Sequence, residues 1–260
     1  MNESEKLLPA ERLQYIKKKV QAEGTVRVGA LSAELDVSEV TIRGDLADLE
    51  QEGLLQRTHG GAVRLAAGQT RYERPFDEMV VEFATQKQRI GKAAAGRVHD
   101  GETIILDVGT TTTEIARQLP ACHDLVVVTN GLNIALELEK QPVTVVVLGG
   151  TLRPLQHSLV NPYATLLLGQ LHVDTLFLGC NGVSAAYGVT NANMQEAEIK
   201  QAMLRTAKKV IVVADASKIG QVSAAHVADL AHIHTLITDA GANADELAAI
   251  AEAGVQIELV

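Results

Sequence analysis

The stretch VSEVTIRGDLADLEQEGLLQRTHGGAV, residues 37–63, decides the fold at the front of this chain. Apolar residues recur at helical spacing from Val40 to Leu49, and Ser38 just before them is a favourable N-cap. These residues therefore predict a helix. One residue fits poorly, because Gly44 in the middle of a helix costs about 1 kcal/mol relative to alanine. The role of this helix depends on the elements around it.

The helices and the hairpin predicted on either side of this helix follow the order of a known fold. A glycine pair at residues 60–61 lies between two short runs and predicts a β-hairpin. Upstream, the pattern predicts a first helix over residues 9–24, a β-like piece at residues 25–28 and a second helix at residues 29–35. Two helices, a tight turn, a third helix and a hairpin follow one another as in a winged helix-turn-helix.

In that geometry the third helix enters the DNA major groove, and its N-terminal residues face base edges. Arginine bonds guanine in bidentate fashion, while serine and threonine bond bases or phosphates. The alternative is a structural helical bundle whose arginine and threonine side chains are merely solvated. The residues that this geometry assigns to double-stranded DNA are Ser38, Glu39, Thr41, Arg43, Arg57 and His59.

Composition narrows the class of protein. The chain has 260 residues, of which 47% are hydrophobic, and a net charge of −9. That charge argues mildly against nucleic acid, so a DNA-binding role must rest on where the cations lie. No apolar run reaches membrane-spanning length, the first residues lack a signal peptide, and Cys122 and Cys180 show no metal-ligand spacing. We therefore expect a cytoplasmic protein without a membrane segment, metal site or cofactor.

The opening stretch resembles the DNA-binding signature of the DeoR family of bacterial transcription regulators. That signature reads Ser-x-x-Thr-Ile-Arg-Arg-Asp-Leu, followed by a Leu-x-Arg-x-His-Gly-Gly-Ala hairpin. The resemblance implies that the third helix reads DNA, and it makes Gly44 a departure, since the family usually has a second arginine there. Gly44 either allows closer backbone approach to a different operator or is a tolerated, mildly destabilising substitution. The matching residues are Ser38, Thr41, Ile42, Arg43, Asp45, Leu46, Arg57, His59, Gly60, Gly61 and Ala62.

The pattern changes after residue 66. Residues 67–85 are charged and irregular, which favours a linker. From residue 86 to residue 260, β-branched apolar runs alternate with helical stretches and predict a mostly parallel sheet buried on both faces. We therefore expect a DNA-binding domain at residues 1–66 and an α/β domain at residues 86–260. The predicted strands lie in TIILDV, LVVVTN, VTVVVLGG, TLFLGC, KVIVVAD and HTLITD.

Polar and glycine-rich loops follow these runs, and in open α/β sheets ligands bind beyond the carboxyl ends of the strands. Glycine lets the backbone come close, while hydroxyls and free N–H groups at a helix start favour an anion. Together the loops predict a site for one phosphate-bearing, hydroxyl-rich ligand, although each loop alone is more often an ordinary turn. The candidate residues are Asp107, Gly109, Thr110, Thr111, Thr112, Asn130, Gly149, Gly150, Arg153, Gly179, Asn181, Asp215 and Lys218.

These loops also resemble, in order, the effector domain of the DeoR family, whose fold is similar to ribose-5-phosphate isomerase and CoA transferases. The match adds Glu198 and Lys200 in the segment EAEIKQAM. It implies a repressor of a carbohydrate-metabolism operon that a phosphorylated sugar or related metabolite releases from its operator. A homodimer or homotetramer would bind a repeated or palindromic operator. Asn161, where the family often has glycine, either reshapes the pocket or lies in a surface loop.

The alternative function is enzymatic, a sugar-phosphate isomerase with an appended helical module. An isomerase needs a positioned carboxylate base, for which Glu198 and Asp107 are the candidates. The DNA-reading module argues against turnover. Formation of isomerised product from pentose or hexose phosphates would decide between the two functions.

Overall fold

The computed structural model describes residues 7–51, 55–58, 60–63, 74–160 and 163–260. The chain divides into two units, residues 1–73 and residues 74–260, and each is described by itself. His59 and Asn161, both singled out from the sequence, lie outside the described residues.

The smaller unit confirms the predicted winged helix-turn-helix order. Its strands form an antiparallel sheet in which the third strand lies between the first and the second. Helix α1 ends where Gly24 takes the left-handed conformation, with φ 75°. Its described elements are α1 Pro9–Glu23, β1 Thr25–Arg27, α2 Val28–Leu35, α3 Glu39–Gln51, β2 Gln56–Thr58 and β3 Gly61–Val63.

Aliphatic side chains fill the core of this unit. Ile16 of α1, Leu31 of α2 and Ile42 of α3 are fully buried. At the sheet, a Cβ atom on Gly61 would lie 1.9 Å from the carbonyl oxygen of Val26. Strand β1 therefore approaches β3 so closely that only glycine fits at this position.

The larger unit is an α/β fold with more strands than the sequence predicts. Its described strands are β4 Thr103–Leu106, β5 Val126–Thr129, β6 Thr144–Val147, β7 Thr151–Arg153, β8 Ser158–Val160, β9 Val173–Leu178, β10 Gly182–Ser184, β11 Gly188–Asn191, β12 Ala207–Val213, β13 Ala225–Ala228, β14 Thr235–Thr238 and β15 Gln256–Leu259. Its described helices are α4 Phe76–Val81, α5 Ala84–Ala95, α6 Thr110–Arg117, α7 Leu132–Leu138, α8 Tyr163–Leu168, α9 Met194–Thr206 and α10 Ala244–Glu252.

Seven of these strands form one parallel sheet in the order β15-β14-β12-β9-β4-β5-β6. All six predicted strands belong to it, and β15 is the seventh. Successive residues of each strand face opposite sides, so Val127 of β5 packs into one aliphatic cluster and Val128 into the other. Helices α5, α6 and α7 cover one face, and α8, α9 and α10 cover the other.

Two features differ from the sequence-based expectation. The hairpin β7–β8 and the antiparallel sheet β10-β11-β13 were not predicted, because their strands are too short to show a periodic pattern. Residues 74–85, expected to belong to a linker, contain α4 and pack on the larger unit. Phe76 is buried there, and its N–H donates to the carbonyl of Leu155 at 2.9 Å. Residues 64–73 lie outside the described residues, and the limits of the domains stay a prediction.

Candidate functional site

The exposed start of α3 carries the residues predicted to read DNA. Ser38 is the N-cap, since its Oγ accepts a hydrogen bond from the Thr41 N–H at 3.1 Å. The two hydroxyl groups also lie 2.9 Å apart. Arg43 donates to the Glu39 carboxylate at 2.6 Å, and both side chains are more than half exposed. An exposed ion pair of this kind contributes little to stability, so Arg43 can exchange Glu39 for a phosphate or a base.

The hairpin contributes Arg57, whose side chain is exposed and 4.0 Å from the Glu50 carboxylate. The Arg57 backbone N–H also donates to Glu50 at 2.8 Å, which ties β2 to α3. Ser38, Glu39, Thr41 and Arg43 thus share the start of one helix. Arg57 lies on the attached wing.

A buried ion pair that the sequence did not reveal positions α3. Arg12 of α1 donates two hydrogen bonds to Asp45 of α3, at 2.6 and 2.9 Å, and both residues are buried. This bidentate geometry fixes the angle between the helices as well as their distance. Asp45 belongs to the sequence signature of the opening stretch, and in the structure it holds α3 against α1.

In the larger unit, the sheet order defines a topological switch point. Strands β4 and β9 are neighbours, but the chain continues to β5 and β6 on one side and to β12, β14 and β15 on the other. Ligands of open α/β sheets bind at such a switch point, beyond the carboxyl ends of the strands. Asp107 follows β4 and Gly179 follows β9. The structure joins them, since the Gly179 N–H donates to Asp107 Oδ2 at 3.0 Å.

Lys200 of α9 completes this centre. Its ammonium pairs with the same carboxylate oxygen of Asp107 and also donates to the carbonyl of Gly179 at 3.2 Å. Burial alone would lower the pKa of Lys200, but the carboxylates of Asp107 and Glu196 outweigh it and raise the pKa. Lys200 therefore stays charged. The other oxygen of Asp107, Oδ1, is buried and has no hydrogen-bond partner among the described residues.

Helix α6 starts beside Asp107 with four threonines, all of them buried. The Thr112 and Thr113 hydroxyls donate back to the carbonyl of Gly109, at 3.0 and 2.7 Å. The Thr112 hydroxyl proton is thus used in a hydrogen bond within the first turn of α6. Thr110 and Thr111 remain at the first turn, where backbone N–H groups and the helix dipole favour an anion.

Lys87 of α5 is a further cation at this end of the sheet, and sequence reasoning missed it. Helices α5 and α6 precede and follow β4 in sequence. They touch at Gly91, where a Cβ atom would lie 2.8 Å from the backbone of Glu114. Lys87 lies one turn before Gly91 in α5, and Thr110 lies one turn before Glu114 in α6. Burial lowers the pKa of Lys87.

The loop after β12 faces the same region. Asp215 is buried and accepts hydrogen bonds from both the N–H and the hydroxyl of Ser217, the N–H bond being 3.0 Å long. The charges of Asp215 and Lys218 act on Lys87, and those of Lys200, Lys218 and Asp215 act on the Cys180 thiol. Charged residues from the loops after β4, β9 and β12 therefore act on one another, and that these loops bind a ligand stays a prediction.

Other predicted residues hold the scaffold instead. Asn130 accepts from the Val108 N–H at 3.0 Å, and Asn181 accepts from the Ala192 N–H at 2.9 Å. Gly149 is exposed before the hairpin, and a Cβ atom on Gly150 would lie 2.2 Å from the carbonyl oxygen of Val160. These residues shape the loops around the site.

The acidic residue expected on α9 requires a correction. Glu198 is exposed, because it lies two residues from Glu196 and Lys200 and therefore on the other side of the helix. Glu196 is the buried acid. It accepts from Arg153 at 2.5 Å and from the Ser158 hydroxyl at 2.6 Å. Arg153, predicted to bind the ligand, is thus engaged with Glu196.

A winged helix-turn-helix and an α/β unit with charged and hydroxyl side chains at the switch point of its sheet are typical of a DNA-binding regulator with a ligand-sensing domain. Comparison with known proteins agrees. Residues 12–67 match the DeoR-like helix-turn-helix domain, and residues 82–240 match the DeoR C terminal sensor domain.

Similar proteins span nearly the whole chain. The HTH-type transcriptional regulator GlpR of Haloferax volcanii is 37% identical over 96% of this chain and 98% of its own length. The putative aga operon transcriptional repressor of Escherichia coli O157:H7 is 36% identical over 96% of this chain and 94% of its own. A solved structure of ribose 5-phosphate isomerase A from Methanocaldococcus jannaschii is similar at 17% identity and a TM-score of 0.38, covering 55% of this chain and 54% of that one.

The chain belongs to the DeoR family of transcriptional regulators. The family decides against the alternative of a sugar-phosphate isomerase, because its members regulate transcription. DNA is accordingly the partner of the winged helix. Within the described ranges, no helix is both long and apolar enough to cross a membrane.

Proposed function

We propose that this regulator represses a carbohydrate-metabolism operon and leaves its operator when a phosphorylated sugar or related metabolite binds the larger unit. One observation carries the proposal. Cations and hydroxyl groups converge beyond the carboxyl ends of β4, β9 and β12, at the switch point of the parallel sheet. The putative aga operon repressor, similar along nearly its full length, supports the same assignment.

The phosphate end of the ligand belongs at the start of α6. Thr110 and Thr111 offer hydroxyls and backbone N–H groups at a helix start, and Lys87 lies on α5, which packs against α6 at Gly91. Lys218 brings a second ammonium group within electrostatic range of Lys87. Two cations and a helix start form a site for a dianion.

The hydroxyl end belongs nearer to Asp107 and Gly179. Carboxylates and backbone carbonyls accept hydrogen bonds from sugar hydroxyls. Asp107 supplies such an acceptor, since its Oδ1 is buried without a hydrogen-bond partner among the described residues, and Asp215 supplies a second carboxylate. Gly179 and Asn181 shape the loop beside them. The remaining candidates, Asn130, Gly149, Gly150 and Arg153, shape the pocket by holding its loops.

The smaller unit reads the operator through Ser38, Glu39, Thr41, Arg43, Arg57 and His59. A single head with few exposed cations binds DNA weakly, so we propose a cytoplasmic homodimer or homotetramer whose heads bind repeated half-sites. The ligand acts through its different affinity for the DNA-competent and the released conformers.

Fluorescence anisotropy on DNA from the upstream region of the gene tests this proposal. We expect tight binding that weakens as salt rises, and release by one member of a panel of sugar phosphates. Analytical ultracentrifugation of the same complexes gives the number of chains bound. Absence of release by every sugar phosphate, with DNA binding intact, would contradict the assigned effector class.

A matched pair of variants localises the effector. Lys218 follows the carboxyl end of β12, while Lys208 lies at the opposite end of that strand, exposed and 2.8 Å from Asp174. We expect Lys218→Met to keep DNA binding but to need at least tenfold more sugar phosphate for release. Lys208→Met, with the same change of charge, should respond as the unmodified chain does. Equal responses of the two variants would move the site elsewhere.

A further inference from the structure

Residues 74–83, called the strap below, contain α4 and lie between the segment that joins the two units in sequence and helix α5. The strap starts at a fixed point. Phe76 is buried, its N–H donates to Leu155 at 2.9 Å, and its ring lies 5.3 Å from the ring of His157. Its first residues are therefore anchored to the hairpin β7–β8.

The other end of the strap is held by a residue of the proposed ligand site. The Lys87 ammonium donates a hydrogen bond to the backbone carbonyl of Met79, in α4, at 2.6 Å. Lys87 is buried, so this carbonyl takes the place of solvent or an anion next to the charge. An arriving phosphate would compete for the same ammonium group.

Charge strengthens this competition. Glu82 is bonded to Arg74 at 2.7 and 2.9 Å, and its carboxylate is within electrostatic range of Lys218 and Lys87. Without a ligand, the two lysines attract Glu82 and hold the strap. A dianionic phosphate between them would neutralise the lysines and repel the Glu82 carboxylate.

The strap also has the features of a segment that can change conformation. Phe83, its last residue, takes the left-handed conformation with φ 52°, which is strained for an aromatic residue. The side chains of Val81 and Phe83 are 74% and 47% exposed. Release of the Met79 carbonyl would let this turn relax and these apolar side chains repack.

We propose that the strap is the element that responds to the ligand: phosphate binding at Lys87 and Lys218 displaces the Met79 carbonyl and frees α4, while residues 74–76 stay anchored to the hairpin. This inference rests on the proposed function, since it requires a phosphate at that site. The strap is the first described segment of the larger unit in sequence, and its release changes the conformation of residues 77–83, between the anchor and α5.

Amide hydrogen exchange of the full-length chain tests the inference. Peptides that cover residues 76–83 are followed in chloride, and then in inorganic phosphate, ribose 5-phosphate and fructose 6-phosphate at matched ionic strength. Thermal unfolding in each solution reports binding independently. We expect the compound that raises the melting temperature to accelerate exchange of the strap at least fivefold. Lys87→Met should exchange at the fast rate without any phosphate.

Two glutamates of the strap provide a matched comparison. Glu82→Gln removes the carboxylate that faces the lysines, so the acceleration by phosphate should shrink. Glu78→Gln makes the same change of charge and removes a carboxylate that also pairs with Arg74, at 3.3 Å. The acceleration should persist in this variant.

The outcomes separate the two proposals. A phosphate compound that raises the melting temperature but leaves exchange of the strap unchanged or slower overturns the strap and keeps the proposed effector class. If no compound of the panel binds, the effector class fails and the strap mechanism fails with it. Slow exchange in ligand-free Lys87→Met overturns the role of the Met79 contact.

Discussion

Lys200 of α9 forms an ion pair with Asp107 at the carboxyl end of β4, and the two side chains are only 3% and 0% exposed. The pair joins a helix on one face of the sheet to the carboxyl ends of the neighbouring strands β4 and β9. Because removing two charges from water costs free energy, the pair adds little net stability to the folded state, and its main effect is to fix the positions of the groups it joins. It fixes the position of the Gly179 loop relative to Asp107.

We predict that Lys200→Met destabilises the larger unit by about 3–5 kcal/mol, because the buried Asp107 carboxyl group loses its charged partner. Replacing both residues, as Asp107→Asn with Lys200→Met, should restore most of this loss. Hydrogen exchange of β4 and β9 amides under native conditions measures the change in this unit alone. A double variant that is as unstable as Lys200→Met would contradict this account.

The two hairpin glycines are predicted to respond differently to alanine. A Cβ atom on Gly61 would lie 1.9 Å from the carbonyl oxygen of Val26, whereas one on Gly60 would meet nothing within 4 Å. Gly61→Ala should therefore destabilise the smaller unit by about 2 kcal/mol or more and weaken DNA binding. Gly60→Ala is the control and should change neither. Circular dichroism during thermal unfolding and anisotropy on DNA check both variants.

The structure bears on whether Gly44 is needed for a close backbone approach or is a tolerated, mildly destabilising substitution. This residue is exposed on α3, and a Cβ atom there would have no neighbour within 4 Å. No close approach within the chain requires glycine, so Gly44→Ala should stabilise the smaller unit by about 0.5–1 kcal/mol. Urea denaturation measures this gain. Destabilisation by alanine would show that the backbone at residue 44 needs glycine after all.

Gly44→Arg restores the cation that the family signature usually carries. If this arginine holds a phosphate, the variant should bind operator DNA more tightly, and the slope of log affinity against log salt should steepen by about one per head. Gly44→Ala serves as its control, since it changes helix propensity without charge. An unchanged slope would mean that the side chain at residue 44 faces away from the DNA backbone.

Cys180, between Gly179 and Asn181, should be an unreactive thiol. Burial raises its pKa to about 12, from a usual value near 9. A raised pKa leaves less thiolate at a given pH, here roughly a thousandfold less at pH 8, so alkylation should be slower by a similar factor. Peptide mapping after iodoacetamide treatment measures the rate, and the denatured chain is the reference. Equal rates in the native and denatured chain would contradict this prediction.

Much of the candidate site could be predicted because strand ends carry a local signal. Asp107, Gly179, Asp215 and Lys218 each follow a β-branched apolar run, and parallel strands bring their carboxyl ends to one edge. Lys87 could not be found this way, since it lies inside an ordinary helical pattern. The sequence match named Glu198, whereas the buried acid of α9 is Glu196, because a motif match does not show which side of a helix faces the sheet.

The sequence by itself determined the order of elements in the winged helix, the six core strands and the polar loops that follow them. These features depend on local propensity and on periodicity, which neighbouring residues encode. Only the tertiary structure decided that Arg12 holds Asp45, that Lys200 holds Asp107, and that Lys87 reaches back to Met79. Partners in the first two pairs are separated by 33 and 93 residues. Charges so far apart in sequence meet only when hydrophobic packing has fixed the helices and strands that carry them.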